Sequence, residues 1–346
     1  MTYFEYQGGS LHAEQVPLTE IAAQFGTPCY VYSRAAFEQQ WQTLNSAFGD
    51  HPHIICYAVK ANSNLAVLNI LARLGSGFDI VSAGELRRVI LAGGDPAKVV
   101  YSGVAKSREE LAYVINNNIR CINVESIAEL ERVQEIAGKI GVSANIALRV
   151  NPDVDAETHP YIATGLEQSK FGIAMSEALQ TYRLAAAMPN INLYGIACHI
   201  GSQITKLSPF SDAVKRVVAM VGQLSAEGIN LQQVDLGGGL GIDYQGETLP
   251  SANAYVKALL GELQAAEINL PVAIEPGRYI AGNSGLLLTR IEYLKHHASK
   301  SFAVVDAGMN DLLRPSLYQA FHDIVSVEQN SQQALHTFDV VGPVCE

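Results

Sequence analysis

Eight short apolar runs, each followed by a stretch with helical periodicity, limit the folds open to this chain more than any other feature. The runs are HIICYAVK, GFDIVS, VVYSG, CINVES, NIALRVNP, YGIACHIGS, QVDLGGG and PVAIEPGR. Between them lie segments such as NLAVLNILARLG, SIAELERVQEIAGKIG and FSDAVKRVVAMVGQLSAEG, in which apolar residues recur at spacings of three and four. Strand-sized runs alternating with amphipathic helices imply parallel β/α units, and eight units are the number that closes a TIM (β/α)8 barrel. Several of the helical segments follow Ser or Asn and stop at Gly, the ordinary start and stop chemistry. The expected fold is therefore α/β, with a barrel over 26–280. Residues 1–25 and 281–346 carry alternating runs such as LLLTRIEYLKH, SFAVVDAG and TFDVVGP, which predict a second, mostly β domain built from both ends of the chain.

Composition narrows the function classes. A formal net charge of -11, with no local run of Lys or Arg, argues against nucleic acid and against an anionic membrane surface as partners. No apolar segment approaches the roughly 20 residues that cross a bilayer, and MTYFEYQGGSLHAEQ lacks a basic stretch followed by an apolar one, so the expected location is the cytoplasm. The five cysteines, Cys29, Cys56, Cys121, Cys198 and Cys345, show no CxxC and no zinc-type spacing and read as reduced thiols. The nine histidines include no HExxH, so no metal site is expected.

In a parallel barrel the reactive groups belong at the C-terminal ends of the strands, where the loops converge over one mouth. The unusual residues fall there: Lys60, Asp79 and Ser82, Ser102, Glu125, Arg149 and Asn151, His199 and Ser202, Gly237 to Gly239, and Glu275 to Arg278 close the eight strands in turn. A lysine at a strand tip beside apolar residues is partly desolvated, which favours the uncharged amine that attacks an aldehyde; Lys60 reads as a Schiff-base lysine, or as a strand-end lysine reaching for water. Gly237, Gly238 and Gly239 let the backbone approach a phosphate, or simply make a tight turn. They form no GxGxxG, since Ile242 stands where the last glycine is required. Gly277 would bring a second backbone segment to the same place. Glu275, closing an apolar strand, needs a cationic partner if ionised: a protonated pyridine nitrogen, or Arg278 or another basic residue. His199 is either a flat ring for stacking on a flat cofactor or a structural histidine.

Taken in order, YAVKANSN, FDIVSAGE, CHIGSQ, DLGGGLG, EPGR, DAGMNDLLRPSLY and GPVCE make the chain resemble the fold-type III pyridoxal phosphate decarboxylases, most of all those acting on diaminopimelate, over nearly all its length. The resemblance implies a barrel plus a β domain, a homodimer with shared active sites, pyridoxal 5'-phosphate as cofactor, and decarboxylation of meso-2,6-diaminopimelate to L-lysine in lysine biosynthesis. It assigns Lys60 to the imine with the cofactor, and Asp79, His199, Ser202, Gly237 to Gly239, Glu275, Gly277 and Arg278 to cofactor binding, with Glu275 on the pyridine nitrogen. Arg278, Arg314 and Tyr318 would hold substrate carboxylate. Cys345 and Glu346 would reach the partner's site, the thiol for proton delivery and the carboxylate for the distal ammonium of the substrate.

The family continues for several dozen residues past the CE pair, including a tyrosine-bearing segment near the cofactor phosphate, whereas this sequence stops at Glu346. From that the β domain is expected to be incomplete, with open edges, an uncovered apolar face and reduced stability. Two alternatives follow from the same residues: a relative acting on another basic or carrier-linked amino acid, and a cofactor-binding protein without activity.

Overall fold

A computed structural model of the chain describes residues 3–155, 170–329 and 336–345. The chain divides into two compact units, one of residues 37–242 and 248–282, the other of 1–36, 243–247 and 283–346.

The first unit is a closed barrel. Its strands are β1 (His53–Ala58), β2 (Gly77–Ile80), β3 (Val99–Tyr101), β4 (Cys121–Val124), β5 (Ala144–Asn151), β6 (Ile191–Ala197), β7 (Gln233–Asp235) and β8 (Val272–Ile274). Each pairs in parallel with the next, and β8 returns to β1 through Val272–His53 and Ile274–Ile55. A two-residue strand, Ile173–Ala174, adds to β5 outside the ring. Among the described residues the helix Arg34–Ala47, which precedes β1, packs on it with seven more: α1 (Leu65–Arg73), α2 (Ala83–Leu91), α3 (Arg108–Asn116), α4 (Ile127–Ile140), α5 (Met175–Ala186), α6 (Ser208–Ala226) and α7 (Ala252–Ala265).

The period of two along each strand sorts its side chains between two cores. Outward residues such as Ile55, Tyr57, Phe78, Ile80, Ile122 and Ile146 join the helices in one large apolar cluster. Inward residues Cys56, Val100, Cys121, Ala147 and Ala197 form a separate, small-residue core that fills the barrel. Two positions further along each strand, on the same inward face, apolar residues give way to Asp79, Ser102, Asn123, Arg149, His199, Asp235 and Glu275. Asp79, Asn123, Arg149 and Asp235 lie within their strands, whereas Ser102, His199 and Glu275 lie just past the strand ends.

Helix starts follow the expected chemistry. Asn64, Ser82, Ser107, Ser126 and Ser251 each accept a backbone N–H of the first helical turn, and Ser107 with Glu110 completes a capping box. Gly141 closes α4 in the left-handed region at φ 82°. Gly75 and Gly93 take the same conformation one residue beyond the caps of α1 and α2.

The second unit holds an antiparallel sheet of Phe4–Gln7, Ser10–Ala13 and Val16–Pro17, the helix Leu18–Phe25, and a three-stranded sheet of Ile291–His296, Ser301–Val305 and Asp339–Val341. Its small core contains Leu11, Ala13, Leu18, Val31 and Leu288. The boundaries differ from the expected 26–280 and 1–25 plus 281–346. Cys29–Tyr32 pairs antiparallel with Gly285–Leu288, so its hydrogen bonds tie residues 26–36 to this unit. Every residue of Ile291–His296 is exposed, Tyr293 by 70%.

Candidate active site

β1 ends at Ala58 and the chain turns at once through a single 3-10 turn, Val59–Ala61, which carries Lys60 out of the sheet. The strand tip is fixed from β8, because Ala58 N–H donates to Pro276 O at 3.1 Å. Lys60 Nζ lies 3.3 Å from Asp79 Oδ2 at the end of β2; the lysine side chain keeps 54% of its surface accessible, whereas that of Asp79 has none. The amine is thus reachable and its anchor is not. Asp79 Oδ1 is buried without a hydrogen-bond partner.

The amine corrects one expectation. The Asp79 charge, reinforced by Glu275, outweighs burial and raises the Lys60 pKa above the ordinary lysine value, so these residues favour the ammonium form rather than the uncharged amine expected from desolvation alone.

Glu275 follows β8 directly and is buried. Its Oε1 accepts from Ser102 Oγ at 2.9 Å and from Asn123 Nδ2 at 3.3 Å, and it makes no ion pair among the described residues, which removes the alternative of a salt bridge to Arg278. Burial, followed by the nearby Asp235 and Asp79 charges, pushes its carboxyl well above the usual carboxylate range, against the pull of Lys60 and Arg149. Left to the protein's own groups, Glu275 favours its protonated form. Asp235, on β7, is buried as well, and burial raises it; its Oδ1 accepts Gly237 N–H at 3.0 Å, and Asn123 Nδ2 bridges to its Oδ2 at 3.3 Å.

The glycine triplet is required by neighbouring backbone. A Cβ on Gly237 would meet Cys198 O at 2.5 Å, one on Gly238 would meet Glu275 O at 2.2 Å, and one on Gly239 would meet Gly201 O at 2.5 Å. Gly237 and Gly239 also take φ of 66° and 112°. The loops after β6, β7 and β8 therefore lie in contact, and Gly277 packs likewise beside Ala58 and Ala61. Gly238 N–H donates to His199 Nδ1 at 3.2 Å, which leaves the ring proton on Nε2. Burial, together with the Arg149 and Lys60 charges, holds His199 well below its ordinary pKa, so the imidazole is neutral. Ser202 Oγ accepts from Arg278 Nε at 3.1 Å.

Lys60, Asp79, His199, Ser202, Gly237 to Gly239, Glu275, Gly277 and Arg278 all stand at the C-terminal ends of the barrel strands. Arg314 and Tyr318 belong to the other unit, on the short helix Arg314–Tyr318. Arg314 Nη1 donates to Tyr244 Oη at 2.9 Å, and its guanidinium lies over the Tyr244 and Tyr318 rings at 5.0 and 6.0 Å. Cys345 is exposed in that same unit, and Glu346 lies outside the described residues.

Sequence reasoning passed over Asp235 and Asn123 and gave Arg149 no role. Arg149 is buried, 2.7 Å from Glu125 Oε1, with its guanidinium over the Phe171 ring at 4.7 Å. The signal was present: in CINV and ALRV a single polar residue, and in QVD two polar residues around Val234, fall on the inward phase of a buried strand.

An accessible amine, a buried carboxyl for a ring nitrogen, a flat neutral imidazole and a backbone cradle that excludes every Cβ fit pyridoxal phosphate. The comparisons agree. Residues 34–282 match the family model for the pyridoxal binding domain of pyridoxal-dependent decarboxylases. The diaminopimelate decarboxylase of Vibrio cholerae is 56% identical over all of this chain and 83% of its own length, and that of Haemophilus influenzae 53% over the same shares. Among solved structures, the M. jannaschii diaminopimelate decarboxylase in complex with L-lysine superposes with a TM-score of 0.94 at 35% identity, covering 100% of this chain and 83% of its own. The Helicobacter pylori enzyme with L-lysine gives 0.91 at 41%, covering 95% and 82%. With the mouth built as it is and relatives of this closeness along the whole chain, the protein belongs to the pyridoxal-dependent decarboxylases, in the branch of the diaminopimelate decarboxylases.

Proposed function

We propose that the chain is a carboxy-lyase that converts meso-2,6-diaminopimelate to L-lysine and CO2 with pyridoxal phosphate. The observation that carries this reading is the convergence of Lys60, Asp79, His199, Asp235 and Glu275 on one barrel mouth, where Lys60 donates to Asp79, Ser102 and Asn123 donate to Glu275, Asn123 also to Asp235, and Gly238 N–H to His199. When bound, pyridoxal phosphate supplies an aldehyde that captures amines and a ring that accepts the electrons released as CO2 leaves.

The chain's own residues have distinct tasks. Lys60 would hold the cofactor through its amine, the group that bonds to an aldehyde. Asp79 positions that amine by accepting a hydrogen bond from it. Glu275 would hold the ring nitrogen in a buried place, where that nitrogen could take the proton the carboxyl otherwise keeps and leave a carboxylate beside the resulting cation. His199, its orientation set by Gly238 N–H, would offer an uncharged flat ring to the cofactor ring. Gly237 to Gly239 and Gly277 admit the phosphate, with Ser202 and Arg278 beside them. Arg278, Arg314 and Tyr318 are assigned to substrate carboxylate, because a guanidinium fork matches a planar carboxylate with two parallel hydrogen bonds. Family resemblance supports a cytoplasmic homodimer in which Cys345 delivers a proton to the partner's site and Glu346 meets the distal ammonium. No described helix is long and apolar enough to cross a membrane.

The test is turnover. The purified chain with pyridoxal phosphate should release CO2 and lysine from meso-diaminopimelate and should prefer it to lysine, ornithine and arginine. Lys60→Ala should lose turnover and the covalent attachment trapped by borohydride. Trapping at another residue would overturn the assignment of Lys60, and preference for another amino acid would overturn the substrate.

A further inference from the structure

The opposite end of the barrel holds a second cavity, of about 530 Å³, within the range of small-ligand sites. Its wall comes from the N-terminal ends of the strands and the helix that precedes β1, and includes Trp41, His53, Ile54, Lys98 and Arg120. Two cations face this floor, and no Asp or Glu lines it. That is unusual in a chain whose formal charge is -11.

The two cations are held but not neutralised. Arg120 Nε donates to Gln233 Oε1 at 2.7 Å and its guanidinium lies 5.4 Å over the Tyr194 ring, which fixes the plane of the group. Neither of its Nη groups has a hydrogen-bond partner among the described residues. Lys98 Nζ donates to a single acceptor, Gly75 O at 3.1 Å, and two of its three N–H donors remain. Trp41, 9% exposed, lines the same cavity, and its indole N–H makes no hydrogen bond among the described residues. His53 is stacked on Phe48 with centroids 4.3 Å apart, which sets its ring at the edge of the floor. A planar, pre-positioned guanidinium with free donors, with an ammonium on the wall of the same cavity and without a carboxylate among the lining residues, is the donor set that recognises an oxyanion.

We propose that the N-terminal floor of the barrel is a binding site for a small oxyanion, the phosphate or carboxylate of a metabolite, with Arg120 and Lys98 as its ligands and Trp41 as the apolar wall. The site is separate from the mouth, and its existence does not depend on the reaction carried out there.

Isothermal titration of the dialysed protein, carrying its cofactor, with inorganic phosphate and in a parallel arm with succinate separates the two sources of the anion. Saturable binding of at least one probe is expected, weakened about ten-fold by Lys98→Gln and by Arg120→Gln, as loss of one charge-assisted hydrogen bond implies. Lys98 lies at the surface and makes one backbone contact, so its variant serves even if Arg120→Gln disturbs the barrel floor, which circular dichroism would report. Absence of saturable binding in the wild type, or binding unchanged in Lys98→Gln, would overturn the proposal; an anion held at the mouth would give the second result.

Discussion

At the scale of single residues, the site is an electrostatic compromise among Asp79, Asp235 and Glu275 on one side and Lys60 and Arg149 on the other. Because Glu275 is raised, the folded state keeps a proton that the unfolded chain releases above about pH 4.3. Its contribution to stability is therefore complete below that value and is lost as pH rises through the folded pKa. Glu275→Gln keeps the shape and removes this titration. In the cofactor-free protein the melting temperature of the variant should fall less than that of the wild type as pH rises from about 4.3, while turnover drops on the order of 10²-fold for want of a charge at the ring nitrogen. For Lys60 the largest cause of its raised pKa is the Asp79 charge. Asp79→Asn should move the pH midpoint for trapping pyridoxal phosphate on Lys60 downward; an unmoved midpoint would mean that Asp79 does not govern the amine.

Elements set these residues in place through backbone contact rather than through long side chains. The loop after β7 is wedged between those after β6 and β8, and Gly238 is the tightest point, 2.2 Å from Glu275 O for an added Cβ. Gly238→Ala must displace either Glu275 or His199, since it touches the carbonyl of one and donates to the ring of the other. The expected cost is about 1–3 kcal/mol of stability, typical of overpacking. Urea denaturation measures it, and cofactor affinity should fall in parallel. If stability falls and affinity does not, the triplet is needed for packing alone.

For the molecule as a whole, the barrel has one filled interior and two chemically different ends. A ligand that binds only the folded state stabilises it by mass action, about 2.7 kcal/mol at a hundred times its Kd. Pyridoxal phosphate should therefore raise the melting temperature in a concentration-dependent way, and removing it by dialysis against an amine should reverse the gain. Most of the barrel was legible in the order of apolar runs, because burial on both faces of parallel strands leaves a plain record, and Lys60, His199 and Glu275 were legible as polar tips on those runs. Asp235 and Asn123 were not, since a polar residue inside a strand gains its meaning from the inward face shared with seven other strands.

The sequence by itself determined the eight β/α units, their parallel closure and the ring of reactive groups at one end, because strand period, helix period and capping are local properties. Tertiary structure decided the protonation of those groups. Folding sets Asp79, distant along the chain, beside Lys60 and so strengthens its charged form, and it buries Glu275, chiefly by that burial and then by the Asp235 and Asp79 charges favouring its neutral one.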